Sequence, residues 1–441
     1  MRDALLLAVI AGGLLAALRY PFVGMILWAW FSLMTPQQMA YGTLGIQLNL
    51  VIAAVTIGAI ILRGEAAKFR FDSTTFWLSM VAGWLFVSQA NSLDPANSAI
   101  YFDRFIKTLI FAILCTQMAN TKLRVHALVW TLVLSIGFFA AKGALFTLMT
   151  LGRYHVQGVP TTILEDNNHL GIAIATILPM ILYLRGEVAK PLLRNAMSAL
   201  LLMSIFAILG TQSRGAFISL VVFGGFFWLR SRHKLAIIAA GALALLPAIA
   251  FMPSSWTERM TTIAEADKDD SFMGRVDAWV INTKFALEHP LTGAGLRNPY
   301  QQALAEKIDP IRAPRARAAH SIYFEMLGGA GFVGLFIYLA LLANAFLKTA
   351  TLQKAGIPGA PPPWQSRFGY FAQMSLVVFC VGGASTSLEM WDGYLLLIAL
   401  IASASRIKVA STGSARTEVR RSSWRSAARG GVSKPVLRQA S

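Results

Sequence analysis

Residues 320–347 read HSIYFEMLGGAGFVGLFIYLALLANAFL. Beyond Glu325 this stretch has no Asp, Glu, Lys or Arg. It is long enough for an α-helix, at about 1.5 Å per residue, to cross a hydrocarbon core about 30 Å thick. Three arginines, Arg312, Arg315 and Arg317, crowd up to His320, where the apolar run begins. A histidine in that position is either an interfacial anchor or a proton acceptor beside a bound anion. The choice depends on what the rest of the chain does.

The same kind of run recurs along most of the 441 residues. The composition is 56% hydrophobic and only 14% charged, against roughly a quarter charged in soluble domains. The strand alternation of an outer-membrane barrel is absent. The sequence therefore predicts an all-α, polytopic integral membrane protein. The net charge of +18 does not point to nucleic acid, because much of it lies in the tail from Arg406 onward and more lies in short loops. Such loops mark the cytoplasmic side, and a basic tail suits anionic lipid. Cys115 and Cys380 both fall inside apolar runs, so no disulfide framework or metal cluster follows. The N-terminal run lacks a small-x-small cleavage site and reads as a retained membrane segment.

Apolar segments fall at 4–18, 21–34, 44–62, 74–90, 98–119, 125–149, 167–185, 195–210, 214–230, 234–252, 320–347, 368–387 and 391–405. The first two form either a hairpin or one broken helix, so about 12–13 transmembrane helices are expected. Every second connection is basic: Arg63, Lys68 and Arg70; Lys122 and Arg124; Arg185, Lys190 and Arg194; Arg230, Arg232 and Lys234; Lys348, Lys354 and Arg367; and the tail. Those connections are assigned to the cytoplasm. The others, including the one large hydrophilic loop, then face outside. The expected organisation is N-terminal transmembrane helices over 1–252, a partly helical external cap over 253–319, C-terminal transmembrane helices over 320–405 and a basic disordered tail over 406–441. No internal repeat is visible, which weakens an inverted-repeat transporter.

Charges inside apolar segments are costly and direct attention to function. Arg214, in TQSRGAFISL, follows Thr211, Gln212 and Ser213. It is either a snorkelling interfacial arginine or a guanidinium fork for a pyrophosphate in a polar pocket. In YFDRFIKTLI, Asp103 and Lys107 are spaced to pair with each other, which leaves Arg104 over. Lys142, in AAKGALFTL, needs either a wet cavity or a long reach to the interface. In the large loop Arg275, Asp277 and Trp279 open an amphipathic helix, followed by GAGLRN. No strand precedes those glycines, so they do not read as a nucleotide loop. His126, His155, His169, His233 and His289 have no metal-ligand spacing with His320, and EADKDD reads as a solvated loop, so neither metal nor cofactor is implied.

The order DNNHLGIAIATILPM, TQSRGA, GRVDAW, HPLTGAGLRN and HSIYFEMLGGAGFVGL resembles the O-antigen ligase superfamily. That superfamily includes lipopolysaccharide O-antigen ligases, Wzy-type polymerases and oligosaccharide-to-protein O-transferases. The nearest resemblance is to O-glycosylation ligases associated with exosortase systems, and it covers residues 160–345. It implies a bacterial inner-membrane enzyme that takes a glycan from undecaprenyl pyrophosphate on the periplasmic face. It also implies essential roles for Arg214, Arg275 and His320. Relatives often carry an acid in the GGAG turn, where this chain has Gly329, and Glu325 stands a turn earlier.

The resemblance and the residues together predict a metal-independent, inverting transfer to an acceptor hydroxyl of a protein, lipid or glycan. Arg214 and Arg275, helped by Arg104 and Lys142, hold the donor pyrophosphate, and His320 takes the hydroxyl proton. A Wzy-type polymerase and a lipid-linked sugar flippase or exporter are the alternatives.

Overall fold

The computed structural model describes residues 2–40, 42, 46–261, 270–315, 318–355 and 362–408. Arg317 and the tail beyond residue 408 lie outside them. Among the described residues there is no strand, and the chain is an all-α polytopic membrane protein.

Each of the thirteen apolar segments is a helix. Ten come first: α1 (Arg2–Arg19), α2 (Pro21–Met34), α3 (Leu48–Leu62), α4 (Ser73–Ala90), α5 (Pro95–Met118), α6 (Lys122–Met149), α7 (Asn167–Glu187), α8 (Pro191–Gly210), α9 (Arg214–Arg230) and α10 (Lys234–Ala250). The large connection carries α11 (Ser254–Thr261), α12 (Asp270–Glu288) and α13 (Gln302–Ile308), and α14 (Ile322–Gln353), α15 (Trp364–Gly383) and α16 (Asp392–Arg406) follow. Four of these, α6, α7, α8 and α14, are long and apolar enough to cross a bilayer by length and composition alone. Others are shorter or carry charges. α16 has only 15 residues, but Gly393 through Ala404 are all buried, so protein surrounds it and it has little lipid-facing surface to match to the bilayer.

Local sequence sets the helix starts. Asp94, Asp166 and Ser213 cap α5, α7 and α9 by accepting hydrogen bonds from the first-turn N–H groups, the usual way of satisfying those orphan donors. α7 is buried along nearly its whole length and packs on α6, α8, α9 and α15, while α14 packs on α4, α12, α15 and α16.

The basic connections gather at one end of the bundle. There Glu187 holds Arg367 at 2.5 Å and Lys122 at 3.6 Å. Asp72 holds Lys348 at 2.6 Å and Arg406 at 3.7 Å. At the opposite end the remaining connections are tied together by polar side chains. Asn97 donates to Asn298 (2.9 Å), Asn167 to the Thr211 carbonyl (2.7 Å) and Gln212 to the Gly152 carbonyl (2.9 Å). The candidate site is at this second end.

Candidate active site

Tight backbone packing fixes the turn that leads to His320. The loop HPLTGAGL lies against the GGAG of α14, with Ala294 N–H donating to the Gly328 carbonyl (2.8 Å) and Gly295 N–H to that of Gly329 (3.0 Å). Ser88 of α4 donates to the same Gly329 carbonyl at 2.9 Å. A Cβ at residue 329 would stand 3.3 Å from Leu296 Cα, so the packing leaves little room for a side chain there. Gly331 has φ +73°, and a Cβ on it would lie 2.3 Å from the Leu291 carbonyl oxygen. α14 kinks at that point, and the loop fills the kink.

His320 stands just ahead of α14 with φ +46°, a left-handed conformation that is uncommon for a residue with a side chain. Its own N–H is directed to the Glu325 carboxylate one turn on. Its ring sits edge-on to that of His169, with centroids 6.3 Å apart. The Nδ1 of His320 is buried and has no hydrogen-bond partner among the described residues. Burial lowers the imidazole pKa to about 4, and the positive charge of Arg275 is the next cause, followed by His169.

α12 delivers Arg275 to this turn. Trp279, one helical turn from Arg275, stacks on Phe324 (centroids 5.1 Å, planes 8° apart) and donates to the Ala319 carbonyl at 2.7 Å. Asp277 takes Arg312 (3.5 Å) and Arg315 (3.2 Å), and Arg312 also bonds Asp309 at 2.9 Å. These two arginines therefore pin the cap. Arg214 is the first residue of α9, behind Ser213, which donates to Asn168 at 2.7 Å. Gly215 passes so close to Ser385 that a Cβ would lie 2.2 Å from its hydroxyl. This brings the start of α9 against both α7 and the end of α15.

The centre of the site is a residue that the sequence reading passed over. Arg297, in GAGLRN, donates to Glu389 (2.7 Å) and Tyr300 (2.8 Å) and lies 3.4 Å from Glu325. Its guanidinium also stands over the rings of Tyr101 (5.6 Å) and Tyr300 (5.1 Å), within cation–π range. Burial alone would depress its pKa, but the two carboxylates outweigh it and hold the pKa above the usual value. Ser387 donates to Glu325 at 2.6 Å. His169, which sequence spacing excludes as a metal ligand, also lies at the site. Its Nδ1 bonds the Ile163 carbonyl at 2.8 Å, so this nitrogen carries the proton and the Nε2 is a lone-pair acceptor. That Nε2 is buried with no partner among the described residues.

The other two predicted cations are placed differently. Asp103 and Lys107 pair with each other at 2.6 Å. Arg104 is left facing the charges of Asp392, Arg297 and Glu389. It lines a cavity of about 20 Å³ with Ser32, Thr35 and Thr162, room for about one water. Lys142 lines a separate cavity of about 760 Å³. Phe139 and Gly158 border both cavities, and Arg214 is not among the described residues lining either.

Residues 199–339, which contain Arg214, Arg275, Arg297, His320 and Glu325, match the O-antigen ligase family. That match supports the resemblance to the O-antigen ligase/Wzy-type superfamily carried by the motifs, and with it a membrane glycan-handling enzyme of the ligase/polymerase type. Residues 1–188 match a family of unknown function, DUF5935. No curated protein matches the chain.

Proposed function

We propose that the protein transfers a glycan from undecaprenyl pyrophosphate to an acceptor hydroxyl, in O-glycosylation or surface-glycan assembly, at the end of the bundle opposite its basic loops. The basic end is then cytoplasmic, and the site faces the periplasm across the inner membrane. The observation that carries this reading is His320. It is a half-buried, neutral imidazole with a buried, unpartnered Nδ1, at a turn where the charge of Arg275 is felt.

The acceptor oxygen attacks the anomeric carbon, the bond from that carbon to the pyrophosphate oxygen breaks, and the hydroxyl proton passes to His320 Nδ1. Undecaprenyl pyrophosphate leaves and the anomeric configuration inverts. Arg214 and Arg275 hold the pyrophosphate through paired N–H donors and offset its growing charge. Arg104 adds positive potential from α5. Arg297, shared between two carboxylates, holds the floor of the site and the His320 turn.

A base with a pKa near 4 is a poor proton acceptor at neutral pH, since efficiency peaks when base pKa and operating pH are close. The donor removes this obstacle. Its phosphate charges lie against the arginines that depress His320, and a nearby anion raises an imidazole pKa. The base thus gains strength when the substrate is in place.

Purified protein given a lipid-linked glycan and an acceptor should release undecaprenyl pyrophosphate. His320→Ala should abolish release while donor binding survives. Near-normal turnover by that variant would remove the base assignment, and absence of undecaprenyl pyrophosphate from wild-type reactions would remove the transferase reading. Mass analysis of the product, a single transfer against a growing repeat, separates ligase from polymerase.

A further inference from the structure

The cavity of about 760 Å³ that takes Lys142 has no part in the chemistry above, yet it is shaped and charged for a ligand. It is enclosed by the start of α1, residues 36–40, α6 and residues 155–160. Arg2, Lys142 and His155 bring three nitrogen-bearing side chains to it, and no Asp or Glu is among its described lining residues. Lys142 is exposed and has no ion pair among the described residues. The walls are firmly seated. Val156 N–H bonds the Gly210 carbonyl at 2.9 Å, and Val156 packs so closely on α6 that a Cβ on Gly143 would lie 2.7 Å from it.

This cavity does not end at the cations. Phe138 borders both it and a second, apolar cavity of about 450 Å³ that runs between α1, α2 and α6, lined by Val9, Leu27, Trp30, Met34 and Leu134. A cationic chamber at one end of the bundle thus opens beside an apolar groove that descends along the helices. Side chains of α1 and α6 next to it are exposed and apolar, Leu5, Leu145 and Phe146 among them, so the groove lies beside lipid. The two chambers match the two parts of an amphiphile, an anionic head and a hydrocarbon tail.

We propose that these two chambers form one binding site for a phosphate-headed lipid, with the head on Lys142 and Arg2 and the tail against α1, α2 and α6. The site lies wholly within residues 1–188 and is separate from the His320 centre. It would give that segment a binding role of its own. The head could be that of a membrane phospholipid or of a polyprenyl phosphate, since both present the same phosphate chemistry to a lysine and an arginine.

Native mass spectrometry of the full-length protein, purified in a nonionic detergent, tests this with three probes: phosphatidylglycerol, undecaprenyl phosphate and an uncharged diacylglycerol. At least one phosphate lipid should be retained, and diacylglycerol should not. Lys142→Gln should weaken retention about tenfold, the worth of one charge-assisted hydrogen bond, and Lys142→Arg should largely restore it. Leu134→Trp, which crowds the tail groove, should weaken it as well. Lys142→Gln should melt with the wild type, because the exposed lysine has no ion pair among the described residues. Preference for phosphatidylglycerol makes the site a membrane-lipid site, and preference for undecaprenyl phosphate makes it a carrier site; either upholds the proposal. Equal retention of diacylglycerol, equal retention by Lys142→Gln, or no retained phosphate lipid overturns it.

Discussion

Replacing Arg297 with methionine would remove the guanidinium that lies between the buried carboxylates of Glu325 and Glu389. Glu389 would lose a partner at 2.7 Å and Glu325 one at 3.4 Å. Both acids are almost fully buried, Glu325 at 5% and Glu389 at 1% exposure, so water cannot take the place of the arginine. Breaking a buried pair from one side costs about 3–5 kcal/mol, because an uncompensated charge stays behind. Glu389→Gln alone should cost less, about 1–3 kcal/mol, since Arg297 keeps Glu325 and the amide can still accept. If the charges interact as the distances require, the double variant should be less destabilised than the sum of the two single variants. With the arginine gone, the glutamine also removes a stranded carboxylate. The expected coupling is about 1–3 kcal/mol.

Equilibrium unfolding in mixed detergent micelles, run on the wild type, both single variants and the double, measures that difference. A cost below about 1 kcal/mol for Arg297→Met, or strict additivity in the double variant, would refute the reasoning. The first would mean that the carboxylates find other partners, and the second that the pair is not energetically linked. Glu325 also receives the backbone N–H of His320, so Arg297→Met should lower transfer by more than the folded fraction lost.

Four further outcomes follow. His320 has a folded pKa of about 4 against an ordinary 6.5, so its contribution to stability is complete above pH 6.5, declines as pH falls toward 4 and is constant below that; His320→Gln should flatten the melting profile in that window. In kinetics, the acid limb of kcat/KM, which reports the free protein, should lie near the His320 value and rise in Arg275→Gln, while the limb of kcat, which reports the donor complex, should lie higher; identical limbs would remove the donor-activated base. Arg214→Lys and Arg275→Lys keep charge but lose the paired donors, so each should cut activity about tenfold or more, and full activity in both would show that point charge suffices. Gly331→Ala should destabilise by about 2 kcal/mol or more in the same unfolding measurement, because alanine at φ +73° is strained and its Cβ meets the Leu291 carbonyl.

Membrane crossings are legible in sequence because their signal is local. An apolar run and a basic loop each declare themselves within about twenty residues, and every predicted run is a helix. His320 and Arg275 could be singled out for a related reason, since each stands near the start of a helix with a conspicuous charge pattern nearby, and the structure brings the two to one turn. Arg297 could not be. Its partners lie 28 and 92 residues further along, and nothing in GAGLRN or in the connection around Glu389 announces that they meet. His169 was read only for metal spacing, although the lone pair that makes it notable depends on a carbonyl at residue 163. Lys142 was grouped with Arg104 from their similar depth on consecutive helices; the two line different cavities, of about 760 and about 20 Å³, that share Phe139 and Gly158 as a border, a relation that sequence spacing does not encode.

The arrangement also separates two uses of positive charge that composition alone would merge. Arg297 is half-buried and its charge is taken up mainly by Glu325 and Glu389. It stabilises the junction of the cap loop, α14 and the connection before α16. The charge of Arg275 does reach His320, and that field has opposite consequences with and without donor. In the empty site it suppresses proton uptake by His320, keeping the imidazole neutral well below pH 6.5. With pyrophosphate bound, part of the field is cancelled where the acceptor proton must go. Loss of Arg275 should therefore weaken donor binding and raise the free-protein pKa of His320 in one substitution, the latter by more than loss of Arg297, whose charge is a smaller cause of the depression. Loss of Arg297 should instead disturb the turn on which His320 stands, so its signature is in stability first and in transfer second.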